Sequence, residues 1–218
     1  MQEHIVSSFD RDLEGIQARI MKMGGLVEQA ILDAAEALET RDEELSDKVR
    51  RGDKVIDELD ELIHEEAARV IALRAPTAVD LRVILSVMKT SNDLERIGDL
   101  AKNMAKRNSV LMQLTQIDGA TAALRRMARA VEVMLKDALD SYIQRDAALA
   151  RDVILRDRDV DQMYNATFRE FLTFMMEDPR NITACMHLHF IAKNLERMGD
   201  HVTSVAEQVV FLVEGAMP

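Results

Sequence analysis

The sequence predicts an all-α protein built from two tandem, internally duplicated three-helix bundles with six long helices. The first observation is composition, because the 218 residues are 31% charged and 4% aromatic and include only three prolines and eight glycines. Such a chain is poor in the β-branched and aromatic runs that strands favour. The second observation is that apolar residues recur at helical spacing in six segments. The third is an internal repeat, which doubles a three-helix unit.

Sequence signals for helix ends bound the six segments in order. Asp10 or Ser8 is the expected cap of the first helix, Pro76 in "RAPT" ends the second, and Pro179 in "EDPRN" forms a second hairpin turn. The predicted helices span residues 8–39, 43–73, 78–110, 122–144, 147–176 and 182–213. The polar segment "TQIDGAT", residues 115–121, is the predicted domain boundary. We therefore expect one bundle in residues 1–114 and the other in residues 115–218.

Apolar stripes predict which face of each helix is buried. The stripes of the first two helices consist of Ile16, Ile20, Met23, Val27, Ile31 and Leu38, and of Val49, Ile56, Leu59, Ile63 and Val70. On the third helix, Leu81, Ile84, Leu85 and Met88 form a stripe that reaches Glu95 and Asp99 when it is continued by seven and by eleven residues. On the sixth, Ile182, Cys185 and His189 lead in the same way to Glu196 and Asp200.

The repeat is carried by a short motif. Leu-Glu-Arg-x-Gly-Asp occurs at residues 94–99 and again at residues 195–200. A shift of 104 residues superimposes other parts of the two halves, including Arg41-Asp42 on Arg145-Asp146, and the shift drops to 101 after the hairpin turn. A repeat of this length indicates a duplicated bundle and not a solenoid unit.

Eight acids occupy matching places in the two halves. Asp53 and Asp99 are equally far from Pro76 along the chain, and so are Asp57 and Glu95. Residues equidistant from the turn of an antiparallel helix hairpin lie at the same height. In the second half, Asp157 with Asp200 and Asp161 with Glu196 are spaced in the same way about the turn at Pro179. Each hairpin is therefore expected to bring four carboxylates to neighbouring levels.

Clustered carboxylates near a core require protons or a cation. Hard cations such as Mg²⁺ and Ca²⁺ take oxygen ligands, and manganese, iron and zinc also accept carboxylates. The eight candidate metal ligands are Asp53, Asp57, Glu95, Asp99, Asp157, Asp161, Glu196 and Asp200. The alternative is that Arg96 and Arg197 neutralise the acids without any metal. His187 and His189 are possible ligands, although a lone histidine on a helix is more often packed or at the surface.

Net charge and cysteine content limit the possible partners. A charge of -11 argues against nucleic acid and against an anionic membrane surface. No apolar run is long enough for a membrane span, so no membrane insertion is expected. The single cysteine, Cys185, fits a reducing compartment, and no export signal is visible near residue 1, so a cytoplasmic protein is expected.

The chain resembles the PhoU family of bacterial phosphate-uptake regulators. The resemblance is carried by the two Leu-Glu-Arg-x-Gly-Asp motifs, by Asp-x-x-x-Asp upstream of each, and by Phe9, Asp10, Leu13, Met23, Gly24, Glu28, Asp80, Leu81 and Arg82. It implies two PhoU-like three-helix bundles and assigns the eight acids above to sites that bind multinuclear iron or zinc in some members. The second half lacks the Asp-Leu-Arg of residues 80–82, so equal metal affinity of the two sites is not implied.

The resemblance also implies a function. It implies an accessory protein and negative regulator that couples the ATPase subunit of the phosphate ABC transporter to a phosphate-sensing histidine kinase, with a dimer or larger assembly expected. An enzymatic alternative is a carboxylate-bridged di-metal oxidase, which uses Glu-x-x-His pairs. Glu61 and His64 form such a pair, but it has no counterpart in the second half and lies apart from Asp53 and Asp57. No P-loop or nucleophile elbow is present, so no enzyme is expected. A structural helical adaptor without metal is the third reading.

Overall fold

A computed structural model describes the backbone of residues 2–218 and the side chains of residues 11–218. All regular secondary structure in these residues is helical, and they contain no strand. The helices are α1 (Gln2–Thr40), α2 (Glu43–Arg74), α3 (Ala78–Leu111), α4 (Ala120–Gln144), α5 (Ala147–Glu177) and α6 (Ile182–Glu214). A short 3₁₀ turn, Pro179–Asn181, precedes α6. The all-α prediction is confirmed.

The predicted start of the first helix was wrong. The helix α1 begins at Gln2, so residue 8 lies inside it and neither Ser8 nor Asp10 stands at its start. Nothing between residues 2 and 8 is a glycine or a proline, and no local signal therefore ends the helix there. The side chains of Phe9 and Asp10, which contribute to the family resemblance, lie outside the described residues.

The repeated Arg-Asp pair forms the same helix-to-helix turn in both halves. Arg41 and Arg145 adopt left-handed backbone conformations with φ of 57° and 56°. The aspartate that follows then caps the next helix: the Asp42 carboxylate accepts the Leu45 N–H at 2.9 Å, and the Asp146 carboxylate accepts the Ala148 N–H at 2.9 Å. The left-handed arginines cost free energy, and the caps satisfy N–H groups that would otherwise lack partners.

The two longer hairpin turns form at the predicted prolines. Ala75, which precedes Pro76, leaves the right-handed helical region with φ of 46° and ends α2. In the second half, Asp178 ends α5 and its carboxylate accepts the Arg180 N–H at 2.9 Å. Both turns reverse the chain, so α2 and α3 are antiparallel neighbours, and so are α5 and α6.

The two bundles pack side by side and share one continuous core. Within each bundle all three helices contact one another, and between bundles α1 packs on α4 and α3 packs on α6. Gly24 permits the close approach of α1 and α4, because a Cβ atom there would lie 2.4 Å from Leu139 Cδ1. Helices α3 and α4 are joined by residues 112–119, which contain most of the predicted boundary segment. The division at residue 115 stays a prediction.

The buried stripe of α3 differs from the predicted one. Leu85 is 51% exposed, whereas Ile84 and Val87 are buried and the stripe continues through Leu94 and Ile97. The physical reason is that α3 packs against α1, α2 and α6 at once, so the centre of its buried face is displaced from a simple two-helix seam. Glu95 and Asp99 consequently lie at the edge of the buried face and not along its centre.

The repeated caps generate a stability prediction. Asp42→Ala and Asp146→Ala should each lower the free energy of unfolding by about 1 kcal/mol, since each removes the partner of N–H groups at a helix start. Urea unfolding followed by circular dichroism measures the change. Glu61→Ala, at an exposed position inside α2, is the matched control. If Glu61→Ala lowers the free energy of unfolding as much as the cap variants do, the assignment of Asp42 and Asp146 as helix caps is contradicted.

Candidate functional site

The first hairpin brings its four predicted acids together. Asp53 on α2 is only 3% exposed, and Asp57, Glu95 and Asp99 are half-buried. The side chain of Lys102 joins the two helices, because its Nζ contacts Asp53 Oδ2 and lies 3.2 Å from Asp99 Oδ1. The expected proximity of Asp53 and Asp99 is therefore confirmed. We call these four acids the first cluster.

Like charges act on one another within the first cluster. Burial raises the pKa of Asp57, and the negative charge of Asp53 raises it further. Burial likewise raises the pKa of Glu95, while Arg96 lowers it and Asp99 and Asp57 raise it again. The pKa of Lys102 is raised because its ammonium group donates hydrogen bonds to Asp53 and Asp99. The lysine therefore remains charged and offsets part of the repulsion.

The second hairpin gathers Asp157, Asp161, Glu196 and Asp200, which we call the second cluster. Burial, followed by the charges of Asp161, Asp200 and Glu196, raises the pKa of Asp157 to about 6. Burial and Glu196 raise the pKa of Asp200, and Lys193 lowers it. Lys193 donates to Glu196 Oε1 at 2.6 Å, so the lysine lies at one edge of the cluster. Among the residues whose side chains are described, no cation acts on Asp157 as Lys102 acts on Asp53.

The two motif glycines allow the helices of each hairpin to approach closely. A Cβ atom on Gly98 would lie 3.1 Å from Ile56 Cδ1 of α2. A Cβ atom on Gly199 would lie 2.7 Å from Asp157 Oδ1 of α5. The second contact is too short for a Cβ atom unless the Asp157 carboxylate moves, so Gly199 leaves room for this carboxylate at its present position. Another helix therefore lies close to each of these glycines.

The other polar residues of the motif region have different roles. Arg96 lies 3.4 Å from Glu95 and 3.9 Å from Asp99, and its side chain is 55% exposed, so it neutralises the first cluster only weakly. His189 packs against aromatic rings, with centroid distances of 4.8 Å to Phe168 and 5.9 Å to Tyr164. Its aromatic neighbours agree with the packed alternative for this histidine. Cys185 is buried, and burial raises the pKa of its thiol.

Arg82 of the Asp-Leu-Arg segment does not belong to the first cluster. Its guanidinium group stacks over the Phe211 ring at 5.3 Å and lies against Gly215, both near the end of α6. The difference between the halves at residues 80–82 therefore concerns the contact between bundles. The two acids that α3 contributes to the first cluster, Glu95 and Asp99, lie several helical turns farther along the helix.

Sequence reasoning missed two residues beside the first cluster. Lys102 stands one turn beyond the repeated motif and looks like an ordinary surface lysine of an acidic helix. Asp60 accepts a hydrogen bond from Ser91 at 2.6 Å and lies 3.3 Å from His64, so His64 pairs with Asp60 and not with Glu61. The only sequence signal for Lys102 was the mismatch between the two copies at this position.

A second polar network, also missed, joins the two bundles. Asp93 is 1% exposed and accepts hydrogen bonds from Ser204 Oγ at 2.6 Å and His201 Nδ1 at 2.9 Å, both on α6. Lys89 lies 3.4 Å away on its own helix. A buried carboxylate needs such partners, because an unpaired one costs several kcal/mol. The network therefore fixes α3 against α6.

The two clusters differ in how well they fit a metal ion. Among the described residues, no three His, Cys, Asp or Glu side chains converge as they stand on a single ion position. The donor set of the second cluster is nonetheless entirely carboxylate, and like charge already raises the pKa of Asp157. In the first cluster the ammonium group of Lys102 already binds two of the carboxylates. Metal binding at both clusters stays a prediction, and the second cluster fits it better.

A basic groove lies between α3 and α6, and its lining residue Lys193 also pairs with Glu196 of the second cluster. It has a volume of about 680 Å³. Its lining contains four cationic side chains and no carboxylate, although the whole chain carries a charge of -11. The groove is lined by Asn103, Lys106, Arg107, Val110, His187, Phe190, Lys193, Asn194 and Arg197. Arg107 stacks on the Phe190 ring at 4.3 Å, and Phe190 is 42% exposed.

These features define a class of protein: a duplicated three-helix bundle with a carboxylate cluster in each hairpin. The PhoU domain matches the chain twice, over residues 20–107 and 124–209. The chain therefore belongs to the PhoU family, as the resemblance of its motifs implied. In the described part of the chain, none of the helices has the length and apolarity needed to cross a membrane.

Named relatives and solved structures agree with this assignment. The chain is 45% identical over 215 residues to the phosphate-specific transport system accessory protein PhoU homolog of Caulobacter vibrioides, covering 99% of this chain and 94% of that protein. Identity to the Rhizobium meliloti homolog is 43%, covering 99% and 91% of the two chains. The crystal structure of PhoU from Pseudomonas aeruginosa superimposes with a TM-score of 0.92 at 39% identity, covering 95% of this chain and 100% of that one. The phosphate transport system regulatory protein PhoU from Streptococcus pneumoniae gives 0.88 at 29% identity, with 96% and 99% covered.

The raised pKa of Asp157 generates a pH-dependent prediction. In the absence of metal, Asp157→Asn should raise the free energy of unfolding at pH 7 by about 1 kcal/mol, because a pKa unit corresponds to about 1.4 kcal/mol and partial exposure weakens the effect. The gain should shrink as the pH falls through about 6, since the folded wild-type protein then binds a proton at Asp157 before the unfolded chain does.

Urea unfolding in a chelating buffer between pH 7.5 and pH 4.5 measures this difference. Asp159→Asn, at an exposed position on the same helix, is the control and should show no comparable gain. Equal gains for the two variants, or a gain that does not decline with pH, would show that the cluster does not repel Asp157.

Proposed function

We propose that this protein is a cytoplasmic accessory protein and negative regulator of phosphate uptake and phosphate-starvation signalling. In this proposal the protein is a homodimer that acts by contact with other proteins and not by catalysis. Its partners would be the ATPase subunit of the phosphate ABC transporter and a phosphate-sensing histidine kinase. The observation that carries the proposal is the near full-length similarity to proteins named as accessory to the phosphate-specific transport system.

The basic groove is the surface that we propose for one of these contacts. Lys106 and Arg197 are exposed at its two walls, on α3 and α6, and Phe190 offers an apolar contact between them. Such a combination of cations and an exposed ring fits an acidic segment that carries an apolar side chain. The acidic remainder of the surface suits basic partner surfaces, so two partners can be bound through different chemistry.

We also propose that carboxylate-bound metal is part of this function. The ion would be iron or zinc, singly or in a multinuclear site, or magnesium, calcium or manganese, all of which accept carboxylate oxygens. Asp157, Asp161, Glu196 and Asp200 would hold it in the second half. In the first half, Asp53, Asp57, Glu95 and Asp99 would have to exchange Lys102 for the ion. A bound cation would relieve the repulsion that now raises the pKa of Asp157.

The partner proposal predicts a phenotype. Deletion of the gene should switch on phosphate-starvation genes in phosphate-rich medium, and the wild-type chain should restore repression. The double variant Lys106→Glu, Arg197→Glu should fail to restore it and should co-purify with less transporter ATPase or kinase, because the groove would repel an acidic segment. Reporter expression and quantitative mass spectrometry of tagged protein measure the two effects.

The matched control is Arg69→Glu, Arg169→Glu, which changes net charge equally at exposed positions on α2 and α5. It should behave as wild type. A deletion strain with normal starvation-gene expression would contradict the regulatory proposal. Equal loss in both double variants would contradict only the role of the groove.

The metal proposal predicts a specific loss. Glu196→Ala combined with Asp200→Ala should remove metal bound in the second half while helix content stays unchanged, because removing like charges offsets the lost ligands. Elemental analysis of the purified chain after loading with iron, zinc or manganese measures it. Asp152→Ala with Asp159→Ala, two exposed positions on α5, is the control. A wild-type chain that retains no metal under any of these loadings would contradict the proposal.

A further inference from the structure

The two clusters differ at one position that the repeat makes directly comparable. Lys102 follows Asp99 by three residues, and the shift of 101 residues places Thr203 at the corresponding point after Asp200. The Lys102 Nζ contacts Asp53 Oδ2 and lies 3.2 Å from Asp99 Oδ1. Its ammonium group thus stands between one acid of α2 and one acid of α3.

Thr203 supplies nothing equivalent to the second cluster. Its side chain is uncharged, and its Oγ1 atom is buried without a hydrogen-bond partner among the described residues. The charges that act on Asp157 are those of Asp161, Asp200 and Glu196, and all three are negative. Lys193 pairs with Glu196 at 2.6 Å but approaches the cluster from one side only.

A tethered ammonium group and a free cation compete for the same carboxylates. The tethered group is always present at high effective concentration, whereas a free ion must first displace it. Displacement leaves the ammonium group without its two carboxylate partners in a half-buried place, which adds to the cost of metal binding. In the second cluster Lys193 pairs with Glu196, but among the described residues no ammonium group bridges to Asp157, and an arriving cation relieves repulsion there.

We propose that Lys102 is a built-in cation for the first cluster, so that this chain binds a divalent metal ion at the second cluster and not at the first. The inference rests on the proposed metal binding and narrows it to one of the two halves. The first cluster then links α2 and α3 permanently through the ion pairs of Lys102. The net charge of the second cluster, by contrast, depends on the concentration of metal ions around the protein.

Exchange of the two residues tests the inference. The full chain is stripped with a chelator, and Mn²⁺ alone is titrated by calorimetry and by electron paramagnetic resonance of the free ion. Wild type should show a site that Asp157→Asn abolishes and Asp53→Asn leaves in place. Thr203→Lys should weaken that site at least tenfold. Lys102→Thr should add a second site, which Asp53→Asn then removes.

Controls separate charge from structure. Lys22→Thr removes an exposed lysine of α1 and should leave Mn²⁺ binding unchanged. Thr203→Lys does not touch the first cluster, so it tests the inference even where Lys102→Thr fails to fold. Circular dichroism establishes that every variant folds, and Mn²⁺ should raise the unfolding temperature of Lys102→Thr by more than that of wild type or Asp53→Asn.

The outcomes distinguish this inference from the proposal on which it rests. Two sites in wild type, one lost with Asp53→Asn and one with Asp157→Asn, would overturn the inference and leave metal binding intact. A Lys102→Thr variant that folds and gains no site would also overturn it. A wild type without any site would overturn metal binding in this chain, and a site gained in Lys102→Thr would then still support the role of the lysine.

Discussion

Carboxylates that two antiparallel helices bring to the same height repel one another, and the two halves of the molecule differ in how this repulsion is offset. The acids stand at equal distances from the turns at Pro76 and Pro179, so folding of each hairpin necessarily gathers them. In the first hairpin Lys102 offsets the repulsion, because its ammonium group binds one acid from each helix. In the described part of the second hairpin no such group lies at Asp157, and burial together with the neighbouring carboxylates raises the pKa of that residue to about 6. The same backbone geometry therefore yields two electrostatically different sites.

The contact between the bundles is the second element on which the molecule depends. Helix α3 carries the first cluster on one side and packs against α6 on another, while α6 carries the second cluster. Asp93 holds these two helices together through Ser204 and His201. The basic groove opens between the same two helices. A partner bound in the groove would touch the elements that carry both clusters, which gives partner binding and cluster charge a short physical connection.

Local spacing predicted the helices, the turns and the height of the acids, because each of these depends on distances along the chain. The pairing of Asp53 with Asp99 followed from the position of Pro76 alone. The rotation of α3 did not follow, since it depends on three neighbouring helices, and Leu85 was consequently assigned to the core although it is half exposed. The roles of Lys102 and Asp93 were also missed. The Asp93 contacts join residues more than a hundred positions apart, and no periodicity within one helix encodes them.

The pairing of helices across the two halves has a consequence for the symmetry of the fold. By the repeat, α1 corresponds to α4 and α3 to α6, and these are the pairs that meet between the bundles. Glu28 and its counterpart Glu132 even face each other there, which contributes to the raised pKa of Glu28. In a two-fold symmetric dimer the same surface of both subunits forms the interface, so equivalent helices can contact each other there. The internal contact thus has the form of a two-fold contact between two single bundles that lie in one chain. The symmetry is not complete, since Asp93, which bonds Ser204 and His201 of α6, has Asn194 as its counterpart.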